Sequence, residues 1–402
     1  VVSVKAVEAK AATAAASERE HPMLRYTCKP RPDFQKIIRD QGLLFDTNAD
    51  GSPYWDEQAY YSLTIREVDG LYDAAKELHQ MFLVAAEHVL AKPHGLAGLG
   101  ITETLHGPIR RSWGNDEWEF YGRFDFTFDR MGEPKLIEYN ADTPTGLLEA
   151  AVIQWYWKED LFPRNDQFNS IHESLVRRWG ELCSHGPIKK TLTHFTSVTQ
   201  PHEDRITIGY IARTAEEAGL ETEFIAIDRV GWDKNNNEFV DEKDRTIHQL
   251  FKLYPWEWLG EEAFAPQLAL ARWRVLEPPW KAIFASKRLL LVLQELYPGH
   301  PCLLPVASEP LPGDHVAKPA FGREGANVAL FRGGVQVDKR EGEADPGSLI
   351  YQQYCPLVQA KPGIFAQCGV WMAGPEPVGL GVREDTRPIL GNTSRFVPHV
   401  IA

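Results

Sequence analysis

No stretch of this chain approaches the roughly 18 consecutive apolar residues of a membrane-spanning helix, so no partner membrane is expected. Cysteine is scarce: Cys28, Cys183, Cys302, Cys355 and Cys368 are an odd number, widely spaced, without a CxxC pair. That pattern excludes a disulfide framework or zinc finger and fits reduced thiols in the cytoplasm. Positive charge is in deficit as well. The 402 residues hold 43 Lys+Arg against 56 Asp+Glu, a net charge of −13, the opposite of the basic face that nucleic acid selects. Several catalytic signatures are missing. There is no GxxxxGK[ST] phosphate loop, and GLAGLG at Gly95–Gly100 has the wrong spacing for a dinucleotide turn. Neither His172-Glu173 nor His202-Glu203 has a second His at zincin spacing, and no GxSxG elbow or cysteine-protease signature occurs. Residues 1–20 are Ala-rich and mildly charged, lack the apolar core of a secretory signal, and are expected to form a disordered tail.

What remains is ordinary globular material, 43% apolar and 25% charged, long enough for two to four lobes. Glu67–Leu90 repeats apolar residues every three or four positions (Leu71, Ala75, Leu78, Phe82, Ala85, Val89) and predicts an amphipathic helix. YGRFDFTFDR, a turn and LIEYN predict a β-hairpin. Leu147–Trp157 is apolar on nearly all sides and reads as a buried helix. Residues 187–275 read as an α/β unit, with strand, helix and strand in KKTLTHFTSV, ITIGYIARTAEEAGLE and TEFIAI. Then comes a helix in KRLLLVLQELYPG, with Ser286 as its expected N-cap. A strand, a glycine-rich loop and a strand follow in HVAKPAFGREGANVALF, and further strands lie in SLIYQQYC and QCGVWMAG. Alternating strands and helices in several lobes place the chain in the α/β or α+β class.

The hairpin carries the sharpest chemical signal. In its first strand Arg123, Asp125 and Thr127 share one face and Phe124, Phe126 and Phe128 the other. In its second, Glu138 and Asn140 share a face and Ile137 and Tyr139 the opposite one. A four-residue turn, Arg130–Glu133, sets Asp125 opposite Glu138 and Arg123 opposite Asn140. Two facing carboxylates repel unless a cation lies between them. An Asp, a Glu and an Asn carbonyl suit a hard ion such as Mg²⁺ shared with phosphates; the alternative is a solvated face on which Arg123 relieves the repulsion.

Other signals are individually weak. Gly322 and Gly325 bracket Arg323 and Glu324 in a loop that could bring backbone N–H groups to a phosphate, with Lys318 just before it, or that could be a plain strand connection. Lys287 could be a ligand or an exposed lysine, and Arg383 a site residue or an ion-pair partner. Glu203 and Asp204 open a helix, where acidic residues are favoured by the dipole alone. Twelve tryptophans raise a carbohydrate-active reading, but Trp155, Trp157, Trp179, Trp256 and Trp258 lie in helix-like or apolar contexts that favour core packing.

Taken in order, RFDFTFDRMGEPKLIEYNAD, LEPPWKAIFASKRLLLVL, HVAKPAFGREGANV, LIYQQYCPL and GVREDT resemble the synthetase part of the glutathionylspermidine synthase and trypanothione synthetase family, in its stand-alone bacterial form. The resemblance runs from about residue 21 to 402. It implies an α+β ATP-grasp fold with an associated pre-ATP-grasp-like α/β domain, the unit at 187–275, and ATP-clasping lobe segments within 276–402. It implies ATP and Mg²⁺, with Asp125, Glu138 and Asn140 as metal ligands and Lys287 and Lys318 on the phosphates. Gly322, Arg323 and Gly325 would form a lid loop, Gln352 or Gln353 would lie by the adenine, and Arg123 and Arg383 would stabilise the transferring phosphoryl group. Thr143 and Thr145 would face a peptide acid, and Glu203 and Asp204 a polyamine. Gly146 departs from the pattern, since some members have Cys there, and the amidase domain of the bifunctional members has no counterpart. The implied activity is an ADP-forming carbon–nitrogen ligase that makes an amide between a peptide acid and a polyamine without hydrolysing it. The competing reading is a nucleotide-binding regulatory protein that keeps the shell without turnover.

Overall fold

The computed structural model describes residues 22–200, 202–342 and 347–402; the tail expected at 1–20 lies outside them. The organising element is the helix Ile65–Ala91, 27 residues long. It begins at a capping box in which the Thr64 hydroxyl accepts from the Glu67 N–H and the Glu67 carboxylate accepts from the Thr64 N–H. The expected stripe from Leu71 to Val89 is buried. Phe82 meets Phe124 and Tyr139 edge-on at 5.6 and 5.2 Å, and Phe124 stacks on Tyr139 at 3.7 Å. The phenylalanine face of the hairpin is therefore spent on the helix, and its other face is left for a cleft.

The hairpin strands Tyr121–Phe128 and Pro134–Asn140 lie at one side of a six-stranded sheet. Tyr121–Phe128 pairs on its other edge with Ile364–Ala373, which pairs with Glu376–Asp385 and, at one end, with Val358–Lys361; all of these pairings are antiparallel. A second, five-stranded antiparallel sheet runs Val306–Ala307, Leu349–Gln353, His315–Pro319, Ala329–Arg332, Val335–Lys339. The middle of the chain is the expected strand–helix–strand: Leu192–Ser197, His202–Glu217 and Glu221–Ala226, in a four-stranded parallel sheet completed by Gln249–Leu253 and Arg274–Leu276. A second core, with Phe120, Trp157, Trp179, Phe195 and Phe251, lies between this sheet and the helices beside it. The result is a mixed α/β architecture of several sheets.

Three local expectations are corrected. Leu147–Trp157 is helical as expected and mostly buried, but it is not a regular α-helix: a π-helical turn, Glu149–Ile153, leads into the α-helix Gln154–Leu161. Trp155 and Tyr156 there are 37% and 50% exposed, and Trp258 is 44% exposed, whereas Trp157, Trp179 and Trp256 are in the core. Ser286 does not cap a helix with its side chain. The helix begins at Leu289, and the Ser286 hydroxyl donates instead to the Leu99 carbonyl at 2.7 Å, which commits it away from the helix's own amides.

The third correction concerns the hairpin register. The turn is one residue longer than expected, Asp129–Glu133 between the strand ends, with Phe128 opposite Pro134 and Phe126 opposite Leu136. A bulge at Ile137 absorbs the extra residue, so Asp125 still faces Glu138 and Arg123 still faces Asn140. Leu136, not Ile137, shares the core face with Tyr139, and Ile137 turns to the cleft.

Because the capping box fixes the start of the helix that backs the hairpin, Thr64→Ala is expected to lower unfolding free energy by about 1 kcal/mol, read from the urea midpoint at unchanged slope.

Candidate active site

Between the hairpin, the five-stranded sheet and the loops at 141–145 and 388–391 lies the main cleft. It collects Arg123, Asp125, Glu138, Asn140, Thr143, Thr145, Lys287, Lys318, Gly322, Arg323, Gly325, Gln352, Gln353 and Arg383 in one lining. Glu203 and Asp204 are not in it. Asp204 is buried at the start of its helix and accepts from the Arg323 guanidinium at 3.3 Å, so it reaches the cleft only through that arginine.

The acidic face is tightly tied. Arg123 donates from Nε and Nη2 to the two oxygens of Asp125 at 2.7 and 2.9 Å, and from Nη1 to the Thr145 carbonyl at 2.7 Å. Asn140 Nδ2 donates to Asp125 at 2.9 Å and to Glu138 at 3.2 Å. Burial pushes the Asp125 carboxyl up against the pull of Arg123, with Glu138 adding to the rise. Glu138, though burial acts against its charge, is held down to about 2 by Lys287 and Lys318 and by the Asn140 hydrogen bond. Gly369, across the sheet from Asp125, makes room for this face: a Cβ there would lie 2.9 Å from Arg123 Cδ and 3.3 Å from an Asp125 oxygen.

Opposite stands a basic face. Lys287 Nζ is 3.4 Å from Glu138 and 3.0 Å from the Gly322 carbonyl. Lys318 is buried, donating to the carbonyl of the bulge residue Ile137 at 2.9 Å and to Gln352 Oε1 at 2.6 Å. Burial lowers its ammonium to about 8 against the attraction of Glu138. Gln352 is thereby committed, its Nε2 reaching the Leu136 carbonyl at 3.2 Å, while Gln353 is exposed at the rim. Gly325 holds φ +71, and a Cβ there would meet the Leu390 carbonyl at 2.3 Å, so the glycine loop closes against 388–391 only as glycine. Arg383 donates to the carbonyls of Gly391 and Ser394 at 2.9 and 3.1 Å over the Phe396 ring, and its Nε is buried without a partner.

The donor set suits a hard cation. Two carboxylates and a carboxamide converge, and the Asn140 amide nitrogen now bridges the two carboxylates where a cation would neutralise both. Half a turn of that amide would present its oxygen instead. Sequence reasoning missed Glu257 and Gln367 in the lining. Gln367 opens the strand expected in QCGVWMAG but carries no chemical signal there, and Glu257 stands in no patterned segment; only the contacts of the folded chain place them at the cleft. Among the described residues one further cluster, His194, Glu223 and Asp241, has metal-like spacing, but Arg245 bridges its two carboxylates and Lys243 pairs with Glu223, making it an ion-pair network.

A cleft between sheets, with carboxylates facing lysines, has the charge pattern that a polyanionic ligand with its cation would complement. The chain belongs to the family described as Glutathionylspermidine synthase preATP-grasp, whose model matches residues 25–402. It is 38% identical over 395 residues, 94% of this chain and 99% of the other, to a protein of Haemophilus influenzae assigned as an acid–amine ligase. It is 28% identical to trypanothione synthetase of Crithidia fasciculata and to the bifunctional glutathionylspermidine synthetase/amidase of Escherichia coli, covering 80% and 86% of this chain. The aligned regions span 53% and 60% of those longer proteins. In fold it is similar to a glutathione synthetase-like effector of Globodera pallida, at TM-score 0.54 and 12% identity over 93% of this chain and 100% of the other.

Gly146 shows why this chain departs from the cysteine-bearing pattern. Its φ is +80, and a Cβ would lie 2.3 Å from Phe396 Cζ, the ring beneath Arg383. Gly146→Cys is expected to cost about 2–4 kcal/mol from left-handed strain plus overpacking, measured by chemical denaturation.

Proposed function

We propose that this protein is an ATP-dependent, ADP-forming acid–amine ligase with an ATP-grasp arrangement, joining a glutathione-like peptide carboxylate to a polyamine such as spermidine through an acyl-phosphate. The observation that carries the reading is the meeting, in one cleft, of Asp125, Glu138 and Asn140 with Lys287 and Lys318, backed by Arg123 and Arg383. The family membership and the names of its relatives support the same chemistry. In this reading the two antiparallel sheets clasp the nucleotide, residues 187–275 form the pre-ATP-grasp-like unit, and 276–402 supply lobe segments that clasp ATP.

Each residue's part follows from its charge and place. Lys287 and Lys318 draw negative charge from the phosphates, and the low ammonium pKa of Lys318 is raised by a bound polyanion. Asp125, Glu138 and Asn140 would hold Mg²⁺, which supplies neutralisation of the phosphate oxygens. Arg123, already braced by Asp125 and the Thr145 carbonyl, and Arg383, with its unpartnered Nε, face the oxygens of the transferring phosphoryl group. Thr143 and Thr145, on the loop that follows the hairpin, offer hydroxyl donors to the peptide acid. Gly322, Arg323 and Gly325 close over the nucleotide, and Gln353, at the rim, is better placed for the adenine than the committed Gln352. Asp204 is engaged by Arg323, so recognition of the polyamine falls mainly on Glu203.

The direct test is ADP release with Mg²⁺ across a matrix of peptide acids, glutathione first, and polyamines. A pair-dependent signal supports ligation, and ATP binding without release under any pair would favour a regulatory shell. Lys318→Ala is expected to weaken ATP binding by about 1.5–3 kcal/mol, roughly 10–100-fold in Kd by calorimetry. Amide exchange at 322–327 is expected to slow on adding Mg-ATP, because the glycine loop gains phosphate contacts; equal protection with and without nucleotide would contradict the lid assignment.

A further inference from the structure

Glu257 lines the cleft and has no part in the chemistry above. It stands on the short helical turn Trp256–Leu259, half-buried, with its Oε2 cut off from solvent and without a hydrogen-bond partner. A desolvated acceptor left unpaired is unfavourable, and a binding site is where a ligand can supply the missing donor. Its neighbour Asp142 is satisfied by contrast, accepting from Lys252 Nζ at 2.5 Å and from the Trp256 N–H at 2.9 Å. The charged groups that face Glu257 are Asp142 from the loop after the hairpin, Lys252 from the strand Gln249–Leu253, and Arg323 from the glycine loop. Lys252 is spent on Asp142, and Arg323 on Asp204. Burial and the Asp142 charge lift the Glu257 carboxyl to about 7, with Lys252 and Arg323 pulling the other way. A carboxyl poised there can hold or release a proton at neutral pH.

The ligase reading leaves a proton unaccounted for. An alkyl amine carries its lone pair free in only on the order of 10⁻³–10⁻⁴ of molecules at pH 7, and an ammonium cannot attack a carbonyl. We propose that Glu257 receives the ammonium end of the amine substrate and accepts its proton as the nitrogen attacks the acyl-phosphate. This rests on the proposed ligase activity. The ammonium donates a hydrogen bond to Oε2 and gives that proton to the carboxylate. The nitrogen lone pair then forms the C–N bond at the acyl carbon. The C–O bond to phosphate breaks with its electron pair, the second nitrogen proton leaves with the phosphate as hydrogen phosphate, and Glu257 returns its proton to solvent. Glu203 would hold a distal ammonium and Glu257 the reacting one, which gives a flexible polyamine a direction.

The test compares two nucleophiles on glutathione and Mg-ATP. Hydroxylamine is largely neutral at pH 7 and needs no base, whereas spermidine does. In Glu257→Gln the ratio of amide to hydroxamate formed at pH 7 is expected to fall on the order of 10²–10⁴-fold. Wild-type kcat/KM for spermidine should fall as pH drops through about 7, and the variant should lose that limb and follow the free-amine fraction instead. Glu257→Asp should restore part of the ratio. An unchanged ratio with an unchanged pH profile, or equal loss with both nucleophiles, would overturn the assignment. Wild-type protein that makes neither product would instead overturn ligation on glutathione itself, which separates the two failures.

Discussion

Everything in the cleft depends on a hairpin that must keep two incompatible faces apart. One side of Tyr121–Phe128 and Pro134–Asn140 is aromatic and is sealed by the helix Ile65–Ala91; the other holds Arg123, Asp125, Glu138 and Asn140. A slip of one residue would exchange the faces of a strand, driving carboxylates into the core. The five-residue turn would cause that slip, and the bulge at Ile137 reverses it. The bulge also frees the Ile137 carbonyl to take the Lys318 ammonium. One local irregularity thus sets the acidic face and binds the principal lysine of the opposing sheet to it.

The start of the hairpin is fixed just as firmly. Glu277 accepts from the N–H groups of Phe120 and Tyr121, and Lys281 donates to the Tyr121 carbonyl at 3.0 Å and to Glu119 at 2.5 Å. These groups are buried, where charges without partners are strongly unfavourable. Mutual satisfaction leaves the strand one position to occupy. Asp142 and Lys252 do the same where the hairpin's exit loop meets the parallel sheet. The hairpin residues of the site are thereby hung on a frame of internal ion pairs.

Within that frame, charge is distributed unevenly. Glu138 is compensated by two lysines and stays ionised, while Asp125 shares Arg123 and is pushed the other way by burial. Lys318 is the counterpart on the basic side, desolvated and eased toward neutrality. A polyanion with its cation would favour the charged forms of Asp125 and Lys318 together, supplying positive charge to the one and negative charge to the other.

Much of this was legible in the sequence because the pattern was local. The alternation in RFDFTF and LIEYN separates the faces of a strand by its period of two, and the three-four spacing from Leu71 to Val89 needs nothing beyond helical geometry. The resemblance added Lys287, Lys318, the glycine loop and Arg383, which have no periodicity of their own and which the fold gathers in one cleft. Other features belong to tertiary structure alone. The Ile137 bulge cannot be read from a turn whose length is ambiguous by one residue, and neither the π-turn at Glu149–Ile153 nor the exposure of Trp155 and Tyr156 just after it is announced by the apolar run. The ion pair of Asp204 with Arg323, 119 residues away, is likewise written in no local pattern. Glu257 sits in a segment with no pattern, and its unpaired oxygen exists only because Asp142, Lys252 and Trp256 satisfy one another around it. Sequence determines which faces a strand or helix has; long-range contacts decide which charged groups are left without a partner, because pairing depends on distances between segments more than 100 residues apart.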